Sequence, residues 1–219
     1  MRTNIVHSSI LFSSKAWSIL MFFPREEISV NEKYSLMELK TLVSERRENF
    51  NSSELEIHVN YVGLENIESK TGRLIGFEPK IGKEIKSTCK CFKKGDILVG
   101  RLRPNLNKVY WNDSIEEGIC STEIIVLRPD NGKVNAEYLA EIIRTDAINE
   151  SIVNLIKGAA LPRINVTDLL ELKIPVPAKD IQDGLAKKIR SKRVELEEHI
   201  RRIHEIPAEL DSLITTAYN

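Results

Sequence analysis

At 219 residues, 42% hydrophobic and 29% charged, the chain can hold one sizeable core, or a domain of about 150 residues plus an appendage. Its 32 basic and 32 acidic residues cancel, so any nucleic-acid role must come from local charge rather than overall balance. Cys89, Cys91 and Cys120 are too few for a disulfide framework and fit a reducing cytoplasm; Cys89-x-Cys91 lacks the second ligand pair of a zinc site.

In chain order, the first apolar stretch is SILFSSKAWSILMFF, residues 9–23. Lys15 interrupts it, it falls short of the roughly 20 apolar residues of a membrane span, and no small-residue cleavage site follows. A helix or strand packed on the domain is expected there, and residues 1–32 are otherwise left unassigned. YSLMELKTLVSERREN (34–49) puts Leu36, Leu39 and Val43 on one helical face and predicts a short amphipathic helix. IHVNYVGLENI (57–67) alternates around Ile57, Val59 and Tyr61 and turns at Gly63, and Thr71-Gly72 turns into another short strand. Firmer strands are expected from Ile97 to Leu102 and over TEIIVLRP (122–129), the second closed by Asp130-Asn131-Gly132.

The period then shifts from two to nearly four. Residues 135–149 place Leu139, Ile142 and Ile143 at helical spacing behind an Asn135 cap, and a second helix, AINESIVNLIKG, ends at Gly158. A short helix over Val166–Leu170 and a strand over Leu172–Val176 follow, with Pro175 and Pro177 marking a boundary. Beyond it, Ile189, Leu196, Ile203 and Leu210 recur every seventh residue, flanked by Leu185, Ile200, Ile206, Leu213 and Ile214. This is a coiled-coil seam on a charged helix. From Ile181 to Glu205 such a helix is about 37 Å long, too long to bury its stripe on a small domain, and Pro207 is expected to kink or split it. The alternative is a terminal helix folded back on the core.

No G-x-G-x-x-G opens a strand–helix unit and no P-loop lysine motif occurs, so neither a dinucleotide nor a methyl-donor site nor nucleotide hydrolysis is suggested. His7, His58, His199 and His204 are scattered. Glu171 and Lys173, with Asp168 upstream, have the spacing some metal-dependent nucleases use, though a polar helix–strand junction explains them as well. The positive signal is charge. Between Lys80 and Lys108 stand nine bases (Lys80, Lys83, Lys86, Lys90, Lys93, Lys94, Arg101, Arg103, Lys108) against Glu84 and Asp96, an excess of seven. Strand alternation would put Arg101 and Arg103 on one face, and Pro104 would fix a turn presenting Asn105 and Asn107. Arginine suits guanine edges and phosphate, asparagine suits adenine, and the lysines, Lys93 and Lys94 among them, suit phosphates.

An ordered series of segments then resembles one family. YVGLENIESKTGRL (61–74), KKGDILVGRLRPNLNKV (93–109), GICSTEIIVLRP (118–129), NAEYLAEIIRTDAI (135–148), LPRIN (161–165) and LKIPVPAKDIQDGLAKKI (172–189) are similar to the target recognition domains of type I restriction–modification specificity subunits. The resemblance runs over roughly residues 33–216. It implies an α+β fold: a compact, sheet-rich recognition domain (33–178) followed by a long coiled-coil helix in a dimerisation or spacer region (179–219). It implies a non-catalytic, cytoplasmic subunit that binds double-stranded DNA and directs a methyltransferase and a restriction subunit to a bipartite site. S-adenosylmethionine would sit on the methyltransferase, with no cofactor in this chain.

By the same resemblance, the Arg101–Lys108 loop and the segment from Gly158 to Asn165, with Arg163, face DNA, while CSTE (120–123) is either structural or DNA-facing. Leu185, Ile189, Leu196, Ile200, Ile203 and Leu210 would form the helix-partner interface. The family carries two recognition domains and two helices per chain where this sequence has one of each. It is therefore either a half subunit, with two copies pairing through antiparallel helices on an interrupted palindrome, or part of a longer chain. The rival readings are an interaction module that occupies a methyltransferase through its helix, and a metal-dependent nuclease built on Asp168, Glu171 and Lys173.

Overall fold

The structure is a computed structural model that describes residues 34–51, 56–156 and 161–218. The expected features at 9–23 and at Gly158 lie outside them. The fold is α+β, with twelve short strands in four sheets and a long C-terminal helix among the described residues.

Its centre is the sheet of β2 (Val43–Glu45), β11 (Ile124–Pro129), β8 (Ile97–Gly100) and β9 (Val109–Trp111), hydrogen-bonded in that order and all antiparallel. Side chains alternate across it. Ile97, Val99, Val109, Ile125 and Leu127 pack with Leu139, Ile143, Ile148 and Leu169 of the helices. Leu98, Tyr110, Ile124 and Val126 point the other way and pack with Val62, Ile67, Phe92 and Cys120. Cover on both faces explains why the β8 sequence is apolar at successive positions. Each such fully buried side chain contributes about 1.5–3 kcal/mol.

The second sheet runs β3 (Asn49–Phe50), β7 (Cys89–Lys93), β10 (Glu117–Ser121), β5 (Tyr61–Val62), with β5 parallel to β10. Two-stranded pairs join β1 (Ser35–Glu38) to β12 (Lys173–Val176) and β4 (His58–Val59) to β6 (Lys80–Ile81). The helices are α1 (Ala136–Arg144), α2 (Asp146–Val153), α3 (Val166–Leu170) and α4 (Lys179–Ala217). Asn135 caps α1 as expected, its side chain accepting from Tyr138 N at 3.0 Å.

Several expected elements change form. The helix predicted over 34–49 is instead β1, a 3-10 turn (Leu39–Thr41) and β2. The helical spacing was coincidental: Leu39 and Leu42 are buried, whereas Leu36 is 46% exposed on the β1–β12 ladder. Strand pairing with β12 and β11 overrides local propensity here. IHVNYV divides into β4 and β5, which serve different sheets. Past the Thr71-Gly72 turn, Leu74 makes a single bridge to Ile67 rather than a strand. The first helix stops at Arg144, and Thr145 separates it from α2.

α4 runs through Pro207 without splitting, so its 39 residues span about 58 Å at 1.5 Å per residue. Proline removes one hydrogen bond and crowds the carbonyl four residues earlier. All the residues around it are exposed, so water can serve the freed carbonyl.

Candidate nucleic-acid interface

β8 ends at Gly100, two residues earlier than its sequence suggests, and the chain leaves the sheet there. Gly100 N donates to Lys108 O and Arg101 N to Glu123 O, both at 2.8 Å. Leu102 bridges Arg163. Arg103 then adopts a left-handed conformation (φ 50°) and donates its N–H to Pro162 O at 2.8 Å. A 3-10 turn over Pro104–Leu106 follows, and Asn107 closes it, again at φ 50°. Two left-handed non-glycine residues thus bracket three, a conformation that costs on the order of 1–2 kcal/mol per residue unless the surroundings hold it. They do. Pro104 is buried, the Asn107 side chain donates to Arg144 O at 2.7 Å, and Lys70 N donates to Asn107 O at 3.0 Å.

The same-face expectation for Arg101 and Arg103 fails because alternation holds only within a strand. Arg101 turns inward, its Nε donating to Ile164 O at 3.3 Å while Ile164 N returns a bond to Arg101 O at 3.2 Å. Arg103 and Asn105 are exposed, and neither side chain has a partner among the described residues. Asn107, expected to face DNA, is buried at 4% exposure and braces the loop instead. Lys108 also turns inward, to Leu64 O at 2.7 Å.

The Arg163 segment joins this loop. Its guanidinium holds Glu123 with both nitrogens, Nε at 3.0 and 3.1 Å and the terminal nitrogen at 2.8 Å. That grip keeps the Glu123 carboxyl below its ordinary range and raises the Arg163 guanidinium. Glu123 was missed as a site residue, although it ends the quoted CSTE segment. Asn165, just before α3, is exposed, with a long 3.4 Å contact to Asp168. The outward-facing groups are therefore Arg103, Asn105 and Asn165, with Leu106 and Leu161 exposed beside them.

Lys93 and Lys94 are not part of this cluster. Lys93 ends β7 and Lys94 follows in the turn before β8, separated from the loop by that strand, about 13 Å at 3.3 Å per residue. Asp96, 2% exposed, anchors that turn, accepting from Lys93 N at 2.8 Å and Arg46 Nε at 2.9 Å. Lys94 pairs with Glu116 at 2.7 Å, while the Lys93 side chain has no partner among the described residues. Elsewhere in the basic block, Lys83 pairs with Glu56 at 3.1 Å, Lys90 Nζ bonds Ile124 O at 2.9 Å, and Lys80 sits 4.9 Å over the Tyr61 ring. Much of the excess counted in sequence is thus used within the fold.

Of the nuclease candidates, Asp168 lies on α3, Glu171 caps its end and Lys173 opens β12. Among the described residues no three His, Cys, Asp or Glu side chains group to hold a metal. Cys89, Cys91 and Cys120 are free thiols.

On α4 the seam is bare. Leu185, Leu196, Ile203 and Leu210 are all exposed, Ile203 by 63%, while Ile189 and Ile200 are half-buried. A cleft of about 750 Å³ lies between α4 and the domain, floored by Tyr110 and Trp111. Its arginines, Arg73, Arg190, Arg193 and Arg201, face Asp113, Glu137, Glu197 and Glu198, so it carries no net charge to draw an anion. No described helix is long and apolar enough to cross a membrane.

Comparison with known proteins places this arrangement. The chain is 27% identical over 124 residues to the type I restriction enzyme EcoDI specificity subunit of Escherichia coli, covering 57% of this chain and 27% of that one. The HsdS subunit from Thermoanaerobacter tengcongensis superposes with a TM-score of 0.66 at 20% identity, over 84% of this chain and 47% of that one. The type I restriction–modification S subunit from M. genitalium gives 0.54 at 18% identity, over 80% and 43%. The chain thus spans about a quarter to a half of the length of these relatives. The sequence model for the type I restriction modification DNA specificity domain matches residues 29–206. The chain belongs to that family.

Proposed function

We propose that this chain is a non-catalytic specificity subunit that reads one half of a bipartite double-stranded DNA site. It directs a partner methyltransferase, which binds S-adenosylmethionine, and a restriction subunit to that site in the cytoplasm. The observation that carries this reading is the loop after β8: Arg103 and Asn105 stand exposed, without side-chain partners among the described residues, on a strained turn that buried contacts hold in place. Arginine and asparagine are the side chains that pair bidentately with guanine and adenine edges. Lys93, on the far side of β8, contacts phosphate and sets register without reading sequence.

The exposed α4 seam takes the matching helix of a second copy, antiparallel, which makes the complex twofold and its site an interrupted palindrome. Leu185, Ile189, Leu196, Ile200, Ile203 and Leu210 form that interface. Co-purification with the methyltransferase, followed by mapping of methylated adenines, tests the reading. An interrupted palindrome is expected, and Arg103→Ala with Asn105→Ala should relax or abolish it. An asymmetric site contradicts pairing of identical copies, and an unaltered site in the double variant contradicts the loop's role.

A further inference from the structure

α4 meets the domain mainly through polar groups: among its described residues only Gln182 and the small Ala186 are buried. Gln182 Oε1 accepts from Asn135 N at 2.8 Å, Arg190 pairs with Glu137 at 2.7 Å, and Glu197 takes both arms of Arg73 at 2.6 and 3.0 Å. The Arg193 contact extends further into the domain than these. Its Nε donates to Glu141 at 2.7 Å, and Glu141 also pairs with the buried Arg144. Arg144 donates to Val109 O at 2.5 Å, and its own carbonyl receives the Asn107 side chain at 2.7 Å. Arg193 also donates to Thr71 O at 3.1 Å, and the neighbouring Lys70 N–H holds Asn107 O at 3.0 Å. Gly72 fits this turn against the network at φ 65°; a Cβ there would lie 2.0 Å from Val109 O and 2.3 Å from the Arg144 guanidinium.

Two arms therefore run from one α4 side chain to one residue, Asn107, which closes the loop on which Arg103 and Asn105 stand. We propose that Arg193 is a positioning residue for DNA reading, fixing through Glu141–Arg144 and through Thr71–Lys70 the two hydrogen bonds that tie Asn107 to the rest of the domain, beyond its own bond to Pro104 O within the turn. The inference rests on the loop reading DNA, as proposed above. It makes the seating of α4 and the shape of the loop one equilibrium, so anything that shifts the helix alters discrimination between sequences. The coupling is measured as a non-additive energy between the two ends.

The test uses the full chain, a duplex carrying the mapped methylation site and a scrambled duplex of equal length, with affinities taken by fluorescence anisotropy. Arg193→Gln and the near-isosteric Glu141→Gln are each expected to weaken the mapped duplex roughly tenfold. Binding to the scrambled duplex and its salt slope should stay unchanged. Arg193→Lys should restore part of the loss, and Glu205→Gln, on the same helix but paired with Arg201 and Arg202 of α4 itself, should have no effect. Arg193→Gln added to Asn107→Ala should cost nothing beyond Asn107→Ala alone. Equal weakening of both duplexes, wild-type affinity in Arg193→Gln and Glu141→Gln, or additive losses in the double variant would each overturn the proposal. If Arg103→Ala leaves the mapped duplex unaffected, the loop assignment itself fails, whatever Arg193 does.

Discussion

At the start of β8, the Lys93–Asp96 turn bends at a left-handed glycine, Gly95, and is held by the buried Asp96 carboxylate, which binds the Lys93 N–H and Arg46, and by backbone bonds to Asn112 and Glu116. At the end of β8, the Arg103–Asn107 turn contains two left-handed residues and is held from several directions, by Pro162, Lys70 and Arg144. Both turns are basic in sequence. The first is an unstrained connection whose lysines point away from it singly, one of them paired with Glu116. The second is braced at Asn107 and at the Arg103 N–H, and carries the exposed side chains of Arg103 and Asn105, which have no partner among the described residues. Local charge alone therefore does not separate the two turns; the pair of left-handed non-glycine residues and the exposed donors of the second do.

Substitutions at the two ends should separate these roles. The largest effect is expected at the first turn: Asp96→Ala removes the 2.9 Å partner of the buried Arg46, leaves it the more distant Glu48 at 3.5 Å, and should destabilise the fold by about 3 kcal/mol. Urea unfolding would show this as a lower midpoint at unchanged slope; a loss confined to DNA affinity would reverse the assignment of the two ends. Next, Arg103→Ala should lower affinity for the mapped site by about 1–3 kcal/mol with little change in stability. Lys93→Ala should reduce the salt slope of binding by about one and leave the ratio of mapped to scrambled affinity intact.

The smallest effect is on pH dependence. Arg163 lowers the folded pKa of Glu123 below its ordinary 4.5, so the pair adds stability above that value and loses it as pH falls through the folded value. Thermal unfolding should show wild type gaining on Glu123→Gln above pH 4.5, with the gain shrinking on acidification. A gap that does not change with pH would mean the pair is not made.

Much of the fold was legible because burial imposes a period. β11, the Asn135 cap, α3 and the α4 seam all follow from spacing alone. Residues 34–49 misled because Leu36, Leu39 and Val43 satisfy a helical period while strand partners over a hundred residues away in β12 decide the outcome. The candidate site was half legible. Composition drew attention to the loop after β8, but alternation was carried past the end of the strand for Arg101 and the Pro104 turn was read as presenting Asn107, whereas both bond inward. Their roles depend on Ile164 and Arg144, contacts that no local pattern encodes.

The central claim is that the turn after β8 reads sequence and the turn before it does not. It is tested most directly by measuring wild type, Arg103→Ala and Lys93→Ala side by side against mapped and scrambled duplexes at several salt concentrations. The account predicts that Arg103→Ala collapses the ratio of the two affinities while Lys93→Ala lowers both together. An unchanged ratio in Arg103→Ala, or a collapsed one in Lys93→Ala, would contradict it.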